Sequence, residues 1–124
     1  MRPALLPGLL MLLGVACGAA IAGEADVLRV DATATGDGRY RFRVTVRHAD
    51  SGWDHYADRW EVRAPDGAVL ATRVLHHPHT DEQPFTRSLS AVRIPAGIGS
   101  VTLYAHDKVH GFGGETRTVA LPNR

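Results

Sequence analysis

Tyr40-Arg41-Phe42-Arg43-Val44-Thr45-Val46-Arg47 alternates an apolar with a polar side chain at every step. Successive side chains of a strand point to opposite faces, so this run buries Tyr40, Phe42, Val44 and Val46 on one side and wets the other. The same period recurs in Leu28-Arg29-Val30-Asp31-Ala32-Thr33-Ala34 and in Arg59-Trp60-Glu61-Val62-Arg63-Ala64. Beyond residue 22 no segment repeats apolar residues at helical spacing over three turns. Gly36-Asp37-Gly38, Pro65-Asp66-Gly67, Pro95-Ala96-Gly97 and Gly113-Gly114 punctuate the runs as turns. The pattern predicts seven strands, over 26–35, 39–48, 59–64, 68–76, 85–94, 100–106 and 115–121.

Seven short antiparallel strands in a chain of this length give an all-β fold class: a seven-stranded antiparallel immunoglobulin-like sandwich. Trp60, in the third strand, takes the buried core position. The sandwich is expected to occupy residues 23–124, behind a signal peptide over residues 1–22. Arg2 supplies the positive start of that peptide, Leu5 to Ile21 its apolar stretch, and Ala20-Ile21-Ala22 the small-x-small pattern before a cut. The expected destination is periplasmic or secreted, with no membrane span. Lipidation at Cys17, after Gly14-Val15-Ala16, ranks behind soluble secretion because Gly fits the leading position poorly.

Cys17, Met1 and Met11 all leave with such a peptide, so the remaining domain has no disulfide and no soft sulfur ligand. Removing Arg2 leaves 13 Lys/Arg against 13 Asp/Glu, a balance that argues against nucleic acid as a partner. Arg41, Arg43 and Arg47 form a row on an outer face and read as solvated.

All seven histidines lie beyond residue 22: His48, His55, His76, His77, His79, His106 and His110. On the strand list they fall in or beside loops 2–3, 4–5 and 6–7. Alternate loops of an antiparallel sandwich emerge at the same end. Every His is therefore expected at one end, on the longer loops, where binding sites usually sit.

Imidazole is the commonest protein ligand for zinc, copper and nickel. His77-Pro78-His79 places two imidazoles on one side of an extended segment, and His106 and His110 bracket another loop. His77, His79, His106 and His110 are thus the expected metal ligands, for Zn(II) or Cu(II), with Asp54, Asp81, Glu82 and Asp107 able to orient imidazoles. His48 continues the inward phase of its strand and is the one expected to be merely structural. The competing expectation is that these histidines cap loop backbone and hydrogen-bond to Asp107, Asp54 and each other, with no cofactor. Ser51-Gly52-Trp53-Asp54-His55-Tyr56 supplies a second candidate binding surface. There Trp53, Asp54, His55 and Tyr56 can face a sugar ring, a peptide or an organic cation. On that alternative the chain is a metal-free interaction domain for an envelope protein or glycan. No Ser sits in a nucleophile elbow and no Cys nucleophile is present beyond residue 22, so an enzyme is not expected.

The runs GWDHYADRWEV (52–62), HHPHTDEQPF (76–85) and HDKVHGFGG (106–114) resemble those of a family of small exported bacterial proteins without an assigned activity. That resemblance implies export and an immunoglobulin-like β-sandwich. His106-Asp107 with His110-Gly111 is also similar to the Asp/His copper ligands of periplasmic copper-resistance sandwich proteins. This chain lacks their amino-terminal His and Met-rich segment, so their copper site is not carried over.

Overall fold

The computed structural model describes residues 23–124. The signal peptide expected over residues 1–22, and Cys17 within it, lie outside the described residues. Eight strands follow one another with no helix among the described residues. They are β1 (Asp26–Gly36), β2 (Arg39–Arg47), β3 (Ala57–Arg63), β4 (Val69–Val74), β5 (Phe85–Arg93), β6 (Ser100–Asp107), β7 (Gly111–Phe112) and β8 (Arg117–Ala120).

All pairings are antiparallel and build two sheets. The first has the order β1-β2-β5; the second has β4-β3-β6, with β7 and β8 both paired to β6. Period two explains the core directly. Phe42, Val44 and Val46 of β2 meet Trp60 and Val62 of β3, Leu103 and Ala105 of β6 and Phe85 of β5 in one cluster. Trp60 is fully buried, as its position in the third strand predicts. Arg41, Arg43 and Arg47 are exposed on the outer face.

The expected count of seven strands becomes eight because the edge along β6 is divided: the expected last strand corresponds to β8, and the two-residue β7 precedes it. β7 pairs with His106 and Asp107 at the end of β6, whereas β8 pairs with Ser100 to Leu103 at its start. Between them the chain detours around the start of β1: Asp26 accepts the Glu115 N–H at 2.8 Å, and Val27 donates to the Glu115 carbonyl at 2.9 Å. Gly114 is needed there, since a Cβ would overlap the backbone carbonyl of Ala25. Both halves run along β6 in the same direction, so the split leaves the arrangement of ends untouched.

Register sets which loops meet. Val46 faces Phe85, Ala57 faces Asp107 and Arg59 faces Val74. The end of β2, the start of β3, the end of β4, the start of β5 and the end of β6 therefore open together.

Candidate metal centre

The site grows from two strands whose buried phase runs on into polar residues. In β6, Val101, Leu103, Ala105 and Asp107 share the buried face. In β2, Phe42, Val44 and Val46 do so, and His48 follows one step past the strand. Asp107 and His48 consequently point inward at the same end, with exposures of 0 % and 2 %. Buried charge is costly unless it is paired or binds an ion, so both need partners.

Asp50 holds the first of them. Its Oδ1 accepts the Ala57 N–H at 3.0 Å and lies 2.5 Å from Nδ1 of His48; its Oδ2 accepts the His79 N–H at 2.7 Å. One carboxylate thus joins the loop after β2, the start of β3 and the loop before β5. An ionised carboxylate only accepts, so Nδ1 of His48 carries the proton and its Nε2 faces the interior. That Nε2 is 3.2 Å from Nε2 of His55 and 3.7 Å from Oδ2 of Asp107. His55 Nε2 is in turn 3.2 Å from Oδ1 of Asp107. The loop carrying His55 is tightened by the Ser51 N–H donating to the His55 carbonyl at 3.0 Å and by Gly52 at a φ of 145°.

Asp107 is half satisfied. Its Oδ1 accepts the backbone N–H groups of Val109 and His110 at 2.8 and 2.6 Å, whereas Oδ2 is buried with no hydrogen-bond partner. Buried carboxylate oxygens without a donor are rare and call for an explanation. Burial alone would raise the Asp107 pKa. The two backbone donors and the charges of His48 and His110 outweigh it and hold the carboxyl below its ordinary value. For His48 burial acts to lower the pKa, but the hydrogen bond to Asp50 and the charges of Asp50 and Asp107 win and raise it. Burial likewise works against the Asp50 charge, and the bonds from His48, His79 and Ala57 bring its pKa down.

His48, His55 and Asp107 each offer one ligand atom, all within 4.8 Å of one another. Two donors about 2.0–2.1 Å from a tetrahedral ion stand roughly 3.3 Å apart, close to the separations found here. The Asp50–His48 pair is the outer carboxylate that orients metal-bound imidazoles. The group could hold a metal ion. His110 is the nearest further imidazole, with Nδ1 3.4 Å from Oδ1 of Asp107 and its ring 5.0 Å from that of His55.

The four ligands expected from spacing do not form one group. His106 alternates to the outer face of β6, where Nδ1 is 2.6 Å from Oδ1 of Asp58 and the ring packs edge-on to Phe112. His77 is exposed, and its Nδ1 lies 3.1 Å from the Pro78 carbonyl. His79 is buried and stacked on Phe85 at 4.0 Å. Only His110 reaches the edge of the cluster. His48, expected to be merely structural, is at its centre, and Asp50 was not anticipated at all. The available signal was strand phase: a His and an Asp in register with an apolar face. In the second candidate surface, Trp53 is 63 % exposed, but Tyr56 is buried beneath it, rings edge-on at 5.7 Å. Asp54 is exposed and His55 turns inward to the cluster.

Comparison with known proteins adds one relative. The chain is 40 % identical over 96 residues to a protein of Halomicrobium mukohataei named "Putative lipoprotein". The match covers 77 % of this chain and 47 % of that one, so the chain spans about half the length of the relative it matches. No family model and no solved structure matches. No helix among the described residues is long and apolar enough to cross a membrane.

Proposed function

We propose that this chain is an exported, non-catalytic binding module that holds a divalent transition metal, Zn(II) or Cu(II), at His48, His55 and Asp107. His110 completes the set. The observation that carries this reading is the buried, unpartnered Oδ2 of Asp107 beside two imidazoles, one of them fixed in its tautomer by Asp50. An ion would accept the lone pair for which this oxygen has no hydrogen-bond donor. The relative's name supports the envelope placement, periplasmic or secreted, and makes Cys17 a candidate lipid anchor. The strand orders β1-β2-β5 and β4-β3-β6 with a divided last strand, around a buried Trp60, support an immunoglobulin-like sandwich.

The test is calorimetric titration of chelator-stripped protein with Zn(II) and Cu(II) above pH 7. Equimolar binding at micromolar or lower concentration is expected. His55→Gln and Asp107→Asn should each weaken it by about tenfold or more, since the first removes an imidazole ligand and the second the ligand charge. No heat at micromolar metal, or binding indifferent to both substitutions, ends the proposal.

A second reading, a metal-free interaction domain for an envelope protein or glycan, is favoured by Trp53 and Val109, exposed by 63 % and 58 % on neighbouring loops. On that reading Trp53→Ala abolishes partner capture while His55→Gln leaves it intact.

A further inference from the structure

A cleft lined by arginine and histidine side chains opens beside the loop between β4 and β5. It has a volume of about 100 Å³ and is lined by Arg73, Leu75, His76, His77, His79 and Arg87. Its chemistry is opposite to that of the cluster around Asp107: two guanidinium groups and three imidazoles, with no carboxylate among the lining residues.

The two arginines are held in place. Nε of Arg73 donates to the Ser88 carbonyl at 2.9 Å and its Nη1 to the Val74 carbonyl at 2.6 Å, bridging β4 to β5. Nη1 of Arg87 donates to the Thr86 carbonyl at 2.7 Å and its Nη2 to Oε1 of Glu82 at 3.0 Å. Each guanidinium has five N–H donors, so both keep some free after these bonds. The floor is His79. Its ring lies flat on Phe85, its side chain is 4 % exposed, and both ring nitrogens are buried without a hydrogen-bond partner. Oδ2 of Asp50 is 3.9 Å from Nδ1, beyond hydrogen-bond reach, and already accepts the His79 backbone N–H. The exposed ring of His77 covers that of His79 at 4.7 Å.

A neutral imidazole always carries one N–H, and a buried N–H without an acceptor is costly. An acceptor entering this cavity would satisfy it. Two fixed guanidinium groups repel a cation and favour an anion, and their forked donors suit an oxyanion. The cavity is small, which selects a compact ligand. We propose that this cavity is a binding site for a small tetrahedral oxyanion, such as phosphate or sulfate. Arg73 and Arg87 supply the charge, and His79 donates from beneath once His77 swings aside. Glu82, on the outer side of Arg87, is the internal carboxylate with which the anion competes.

The proposal does not depend on the metal reading, and its test keeps the two apart. Inorganic phosphate is titrated into the full chain in low-salt buffer with a chelator present, followed by calorimetry and amide NMR shifts. Saturable binding is expected, with shifts centred on residues 73–79 and 85–88. Sulfate should compete, and chloride at equal ionic strength should not. Arg73→Gln and Arg87→Gln should each weaken binding roughly tenfold or more, the loss of one charge-assisted contact. His79→Phe preserves the stacking on Phe85 and should weaken it several-fold, whereas His55→Gln should change nothing. Unfolding midpoints of the variants confirm that each is folded, and Arg87→Lys, which keeps the charge, should recover part of the affinity. Absence of saturation, displacement by chloride at equal ionic strength, or phosphate binding unaffected by both arginine substitutions overturns the proposal.

Discussion

At the scale of single residues, Asp50 governs the candidate centre without touching the space an ion would fill. It orients His48 and accepts backbone N–H groups from two other segments. Asp50→Asn keeps the shape but replaces one acceptor oxygen with a donor. Metal affinity should fall 10- to 100-fold, as for other outer partners of ligating imidazoles. Stability should fall by about 2–3 kcal/mol, because a backbone N–H loses a charged acceptor; metal titration and urea unfolding check the two effects. The two buried histidines respond oppositely to pH. His48 has a raised pKa, so the stability it contributes is complete below the ordinary imidazole value of 6.5 and is lost as pH rises through its raised value. His79 has a lowered pKa, chiefly through burial and then through the charges of Arg87 and His77. The unfolded chain therefore takes up the proton first, and the His79 contribution declines as pH drops below 6.5. His79→Phe removes that decline. Relative to the wild type, the metal-free variant should gain stability between about pH 7.5 and about pH 5.5, by at most about 1.4 kcal/mol, because only about one pH unit of that interval lies below the ordinary imidazole value. Urea unfolding at both pH values measures it, and a constant difference would refute it.

At the scale of elements, the divided last strand is the least forgiving feature. Gly114→Ala drives a Cβ into the Ala25 carbonyl, a backbone atom that cannot rotate away. The cost should be about 2–3 kcal/mol or more, at the upper end for an overpacked site, read as a lower urea midpoint. The same strand shows where sequence reading stops. Alternation identified β1, β2 and β3, and it is clearest in β2, which buries Tyr40, Phe42, Val44 and Val46 on one face. It placed the last strand at 115–121 and missed Gly111–Phe112, which is too short to show any period. Loop parity brought all seven histidines to one end, and the register of Ala57 with Asp107 and Val46 with Phe85 brings those loops together. Spacing then misled. His77-Pro78-His79 looks like a chelating pair, yet one ring is exposed and the other lies on Phe85. Strand phase would have done better, since it turns His106 outward and Asp107 inward. The role of Asp50 was not legible, because it depends on three loop segments folding onto one carboxylate.

At the scale of the whole molecule, the candidate centre joins what the sheets leave apart. His48 extends β2 of one sheet, Asp107 ends β6 of the other, and His55 lies on the loop that crosses between them. Without an ion, the end of the sandwich keeps a buried carboxylate oxygen unpaired. An ion that binds only the folded chain stabilises it by mass action, by about 2.7 kcal/mol at one hundred times its dissociation constant. For a domain of this size each kcal/mol at the midpoint moves the melting temperature by roughly 4–8 °C. Saturating Zn(II) or Cu(II) should therefore raise the unfolding temperature of stripped protein by about 10 °C or more, and a chelator should reverse the rise. His55→Gln should melt near the stripped wild type but respond little to metal, because it removes a ligand and leaves the core in place. Phosphate should give a smaller rise that survives His55→Gln and shrinks in Arg87→Gln. A thermal response to metal that is equal in wild type and His55→Gln would place the ion elsewhere. The unpaired oxygen of Asp107 would then be a cost the fold bears without a ligand.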